Sequence, residues 1–191
     1  SKKENMISFK GNKTSWGLIA KLFHWSIALL LFWQVATGIS LHNMEFSPLK
    51  IGIIGSHKFF GTVIFTLVVM RLLWRFFNTH PQYRSIPFHH KIVSSIVHFG
   101  LYCLVIFIPI QGTYMTWVGG GDVHLLGLIK IPALVEMDFF LYDSALLVHY
   151  YSALLLTALF TLHILAALYH RFVIGDPYGV WVRMAFKNRK V

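Results

Sequence analysis

Four histidines, His24, His57, His149 and His163, stand in long apolar runs of this 191-residue chain. An ionisable group within a hydrocarbon layer is costly and tends to be there for a function. A neutral imidazole is the commonest metal ligand among side chains. His149 and His163 are 14 residues apart in "LVHYYSALLLTALFTLHILAALYHRF", about 21 Å and nearly four whole turns of helix, so they share a face at two depths. His57 lies five residues into the second apolar run and His149 five residues into the fourth, counted from the same side. They should meet at one level. His24, near the opposite end of the first run, and His163, about nine residues before the end of the fourth, make a second. Two facing imidazoles at each level suit two six-coordinate b-type haems, with both axial positions of each iron filled. Such irons have no open site for a substrate, which favours electron transfer over chemistry at the metal.

Other residues bear on this arrangement. His98 falls near the depth of His24 and His163 and is a rival ligand; the alternative is that it hydrogen-bonds a haem propionate or a quinone. His170 comes at a helix end beside Tyr169 and Arg171, where a solvated or headgroup role is expected. His80, His89 and His90 near Pro81 and Pro87, and His42 and His124 in outer loops, are read as surface residues. Lys58, next to His57, is a candidate propionate partner for the outer haem. Arg71 and Arg75 in "RLLWRFF" serve equally well as propionate partners or as membrane anchors. Gly61, Ala153, Ala166 and Ala167 leave room for flat macrocycles, although small residues also serve ordinary membrane helix packing. Pro109 in "FIPIQG" is expected to kink the third helix.

The elements that must position these residues follow from composition. Hydrophobic residues make up 56% and charged ones 13%, against about 25% charged in soluble domains. Residues 17–41, 52–77, 92–118 and 144–172 each reach the roughly 20 residues needed to cross a bilayer. The expected fold is therefore an all-α membrane protein, a four-helix bundle with the haems between its helices. Residues 1–191 read as a single domain without internal repeats. The first run is long and lacks an AxA-like end, so it reads as a retained helix, not a cleaved signal. The net charge of +10 comes without any nucleic-acid-binding motif, so no nucleic acid partner is expected. Fourteen of the seventeen Lys and Arg fall in the arm to Lys21, the segment 71–91 and the tail from Arg171, leaving Lys50, Lys58 and Lys130 opposite. The positive-inside rule then puts both termini in the cytoplasm. The outer loop 119–143 begins "GGGD" and turns apolar, as a segment lying along the membrane surface would. Cys103 is the chain's single cysteine, which excludes an internal disulfide and a CxxCH haem attachment.

Several stretches together resemble the bacterial cytochrome b561 family of small dihaem membrane proteins. They are "KLFHWSIALLLF", "SHKFFGTVIFTLVVMRLLWRF", "VHFGLYCLVIFIPIQG" and "VHYYSALLLTALFTLHILAALYHRFV" with "DPYGVWVRM". The resemblance covers nearly the whole chain. It implies haem ligands at His24, His57, His149 and His163, a place in the bacterial inner membrane, and ubiquinone or a similar quinone as electron partner. Some members oxidise superoxide on the periplasmic side and pass the electron to quinone. Here that side carries three lysines against five acids, so superoxide oxidation requires the lysines to be clustered. A cytochrome subunit of a hydrogenase or other dehydrogenase is a related possibility, but no protein donor is identified. A haem-free transporter or structural bundle is the alternative of another class.

Overall fold

The computed structural model describes residues 8–13, 15–79, 81 and 87–186. His80 and six of the seventeen Lys and Arg (Lys2, Lys3, Arg84, Lys187, Arg189 and Lys190) lie outside them. Four helices dominate: α1 (Leu18–Asn43), α2 (Pro48–Phe76), α3 (Phe88–Val118) and α4 (Phe139–Leu168). All four are long and apolar enough to cross a membrane. A π-helical turn, Tyr169–Val173, ends α4, and a two-stranded antiparallel hairpin, β1 (Val123–Leu125) with β2 (Ile129–Ile131), lies between α3 and α4.

Three helices start earlier than the apolar runs suggest, and local chemistry explains two of them. Ser47 caps α2 by accepting from Lys50 N at 3.3 Å, with Pro48 in the first turn, where a missing N–H costs nothing. Asp138 caps α4 by accepting from Phe140 N and Leu141 N at 2.9 and 3.1 Å. α3 begins directly after Pro87. His89 and His90 are therefore helical, not loop residues, and His42 belongs to the last turn of α1. Pro109 lies inside α3, which continues past it to Val118.

α1 runs against α2 and α3 against α4, while α2 and α3 meet more sparsely and α1 and α4 make little backbone contact. The sequence leads one to expect a direct α1–α4 seam. What joins these helices is side chains, such as the edge-to-face pair Phe32 and Phe160 with ring centres 5.0 Å apart. The core is a narrow column of Ile27, Leu31, Ile64, Val68, Val105, Leu156 and Phe160. Large apolar side chains such as Phe99, Phe140 and Leu165 face outward, as suits a lipid solvent no more polar than they are. At the close approach of α3 and α4, a Cβ on Gly100 would come within 2.9 Å of Leu159 Cδ1.

Both ends are closed by polar contacts. The outer hairpin turns at Leu126 and Gly127, both with positive φ, and is held to α2 by Leu126 N donating to Thr62 Oγ1 at 3.1 Å and Lys58 Nζ donating to the Asp122 carbonyl at 2.8 Å. At the inner end, buried Lys21 donates to the Ala185 carbonyl at 2.8 Å and Trp25 Nε1 to that of Met184 at 3.1 Å. Asp176 organises this tail. Its φ of 58° is left-handed, a region Asp tolerates better than most residues, and its carboxylate accepts from Trp181 N and Val182 N at 3.2 and 3.1 Å. Asp176→Ala should lose about 1–2 kcal/mol of stability, as for loss of a helix cap, and expose the tail to protease, whereas Asp176→Asn, which keeps one acceptor oxygen and turns an NH2 to the other N–H, should lose part of that. Thermal unfolding in detergent with limited proteolysis measures both.

Candidate haem centres

The helices bring the four histidines together as two pairs. His57 of α2 and His149 of α4 have ring centres 6.2 Å apart with planes at 71°. His24 of α1 and His163 of α4 have the same separation, 6.2 Å, with planes at 76°. A metal–imidazole bond of about 2 Å, with roughly 1.1–1.2 Å from ring nitrogen to ring centre, puts two imidazoles sharing one ion about 6.3 Å apart. Both pairs match that span. Among the described residues no group of three or more His, Cys, Asp or Glu converges on a metal position. A two-histidine centre therefore needs its remaining ligands from the cofactor itself, as a haem macrocycle provides. The donor set fits a b-type haem at each level.

The tautomers of the outer pair follow from their partners. Thr37 Oγ1 lies within 2.9 Å of the Trp33 carbonyl and 3.1 Å of that of Gln34, so its one hydrogen is given to backbone. It can then only accept from His57 Nδ1, 2.9 Å away. Gln111 is buried and donates through Nε2 to the Ala145 carbonyl at 2.5 Å, which turns its Oε1 to His149 Nδ1 at 2.9 Å. A carbonyl oxygen only accepts, so Nδ1 of His149 carries the hydrogen. In both rings Nε2 is left with its lone pair. Gln34 adds a bond from Nε2 to the main-chain carbonyl of His57 at 3.0 Å. Gly112 keeps α3 close at this level, since a Cβ there would approach His149 Cε1 to 3.2 Å.

The inner level is built differently. No hydrogen bond reaches a ring nitrogen of His24 or His163 from the described residues. His98 of α3 also lies near His163, at 5.2 Å between ring centres, and its Nδ1 is 3.1 Å from Ser94 Oγ. That is about 1 Å short of the span for sharing an ion, so the geometry favours His24 as the partner of His163. Arg71 acts electrostatically on His24, His98 and His163. Its guanidinium carbon stands 5.7 Å from the centre of the Tyr102 ring, and that of Arg75 lies 5.9 Å from Tyr102 and 5.8 Å from Trp16. Between the two levels, an apolar cavity of about 260 Å³ is lined by Phe32 and Val35 of α1 and by Thr157, Phe160, Thr161, Ile164 and Leu165 of α4.

The remaining sequence candidates fall elsewhere. Lys58 reaches to the hairpin backbone, and Lys130 joins it at the same residue, 2.9 Å from Asp122 Oδ1. The Lys130 hydrogen bond holds the Asp122 carboxyl below the usual carboxylate range. Lys50 turns away to the Met44 carbonyl at 2.7 Å. Gly61 faces Gln34, not a histidine. His42 stacks on Tyr150 at 4.9 Å and is exposed, as the sequence reading expects, whereas His170 lies with His90 and Tyr178, 6.0 and 5.9 Å away, with its Nδ1 buried and unpartnered among the described residues, so that ring is not a solvated surface group. The sequence reading missed Thr37 and Gln111. A usable signal existed, because Gln34 and Gln111 are the only glutamines within the four helices and both act on outer-level histidines.

The chain is similar to known proteins along most of its length. The family model described as prokaryotic cytochrome b561 matches residues 15–184. Cytochrome b561 homolog 2 of Escherichia coli (strain K12) is 24% identical over 180 residues, covering 89% of this chain and 92% of that protein. With four membrane-length helices and histidine pairs between them, the chain belongs to the prokaryotic cytochrome b561 family of b-type haem electron-transfer proteins of the membrane.

Proposed function

We propose that the chain carries two haems b, the outer held by His57 and His149 and the inner by His24 and His163, and that it passes single electrons between a donor on the outer face and the quinone pool. The observation that carries this reading is the common 6.2 Å separation of the two pairs. Each bound haem supplies a one-electron iron couple with no open coordination site. The protein does the rest. α4 contributes a histidine to each level, α1 and α2 supply the opposite ligands, and Thr37 and Gln111 hold the outer rings by their Nδ1 hydrogens. Arg71 and Arg75 offer cationic charge to propionates or to a quinone headgroup at the inner end, where an isoprenoid tail can lie on the apolar helix surfaces. The distribution of Lys and Arg supports cytoplasmic termini in a bacterial inner membrane. We read the whole chain as one domain.

Superoxide is the donor favoured by a specific observation. Two of the three outer lysines, Lys58 and Lys130, meet at Asp122, and Lys58 directly follows His57. The outer side is acidic in sum but locally cationic beside the outer pair. Such a patch attracts a small anion. Two superoxide anions would each lose one electron to become oxygen, and quinone would take up the two electrons with two protons to become quinol.

Pyridine haemochrome analysis should give two haems per chain, and a value of one would overturn the dihaem reading. His24→Ala should lose the inner haem, while His98→Ala should keep bis-histidine spectra at both levels; the reverse outcome transfers the ligand role to His98. Lys58→Glu, in protein that keeps both haems, should slow reduction by superoxide several-fold to about tenfold at low ionic strength and less at high. Unchanged stopped-flow rates at low salt would point to a protein or quinol donor instead.

A further inference from the structure

The two levels use the same ligand chemistry in different settings, and the difference lies in residues that touch no cofactor position. At the outer level both rings give their Nδ1 hydrogen to a fixed oxygen, Thr37 Oγ1 at 2.9 Å and Gln111 Oε1 at 2.9 Å. Each acceptor is itself held in place. Thr37 is tied to the Trp33 carbonyl at 2.9 Å and is 7% exposed, and Gln111 is tied to the Ala145 carbonyl and is also 7% exposed. A ring that gives its hydrogen to an acceptor gains electron density at the opposite nitrogen and is a more basic ligand. A more basic ligand favours the more highly charged metal state. At the inner level neither ring nitrogen of His24 or His163 has such an acceptor among the described residues. Cations stand at both ends, with Lys58 directly after His57 at the outer level and Arg71 at the inner, so the acceptors are what distinguishes the two levels.

We infer that Thr37 and Gln111 are positioning residues that make the outer histidine pair the more reducing centre and the inner pair the more oxidising one. This rests on the reading of His57 and His149 as axial ligands. The resulting slope favours movement of an electron from the outer face inward, with no proton transferred between the levels. The polarity is then set by a threonine and a glutamine on helices α1 and α3, neither of which supplies a ligand to that centre.

The test is a spectroelectrochemical titration of the purified, haem-loaded protein in detergent. His57→Ala, which should remove the outer haem alone, assigns the two couples. Thr37→Val removes the hydroxyl with little change in shape, and Thr37→Ser restores it. Losing one acceptor should alter the preference of the outer centre for its oxidised state by about tenfold, the lower end of such effects, a rise of about 59 mV for a one-electron couple. Thr37→Ser should titrate as wild type, Gln111→Leu should raise the same couple, and the inner couple should stay in place. If Thr37→Val loses the outer haem while Thr37→Ser retains it, the hydroxyl is likewise shown to hold the ligand. Wild-type potentials in both Thr37→Val and Gln111→Leu, or an outer couple already above the inner one in the unaltered protein, would overturn the inference. If His57→Ala retains both haems, the ligand assignment itself fails, an outcome distinct from the others.

Discussion

A neutral imidazole has one hydrogen to give and one lone pair to use, and in a bilayer no water is present to take either. That constraint orders the structure. At the outer level the hydrogens go to Thr37 and Gln111, and those two residues are in turn fixed by backbone carbonyls. Nε2 of each ring is left with its lone pair, and the ring centres stand 6.2 Å apart, a span that suits a metal. Unsatisfied polar groups cost several kcal/mol in hydrocarbon, so the ring orientation is imposed by the medium as much as by packing. Where acceptors are lacking, as around His24 and His163, a polar group from another helix stands nearby, in the form of Arg71 and His98.

The packing of the helices answers a related need. Each histidine pair takes one ring from the α1–α2 hairpin and one from the α3–α4 hairpin, whose mutual contacts are thinner than those within each hairpin. The buried column of Ile64, Val68, Leu156 and Phe160 is narrow. Lipid offers little incentive to widen it, since apolar side chains lose nothing by facing acyl chains. A group held between the hairpins would then bind them as well as serve chemistry. The outer hairpin on Lys58 and Thr62 and the inner tail on Lys21 and Trp25 close the ends with hydrogen bonds.

Much of this could be read in the sequence because it depends on local regularities. Helix rise alone puts His149 and His163 at two depths, and length and hydropathy alone count the spans. The helix starts were displaced for a legible reason, the Ser47–Pro48 and Asp138 caps, which hydropathy ignores. The β-hairpin was hidden because strands of three residues have no periodicity to detect. Thr37 escaped notice because a threonine in an apolar helix ordinarily bonds its own backbone; it does so here, and that bond is what frees its oxygen to accept from His57. The two separations at His163, 6.2 Å to His24 and 5.2 Å to His98, differ by about 1 Å, which spacing along a chain cannot resolve.

α4 carries a histidine at both levels, so the distance between them is a property of one rod and not of how four helices settle against one another. Bending or breathing of the bundle changes the partners' approach but leaves the axial offset, about 21 Å along an ideal helix, nearly untouched. The same economy makes α4 intolerant of altered length. One residue inserted between His149 and His163 would turn one of them by about 100° around the axis, and the two levels would no longer open on the same side of the rod. The number of residues between the two histidines is therefore a geometric constraint of its own, separate from which side chains fill the stretch.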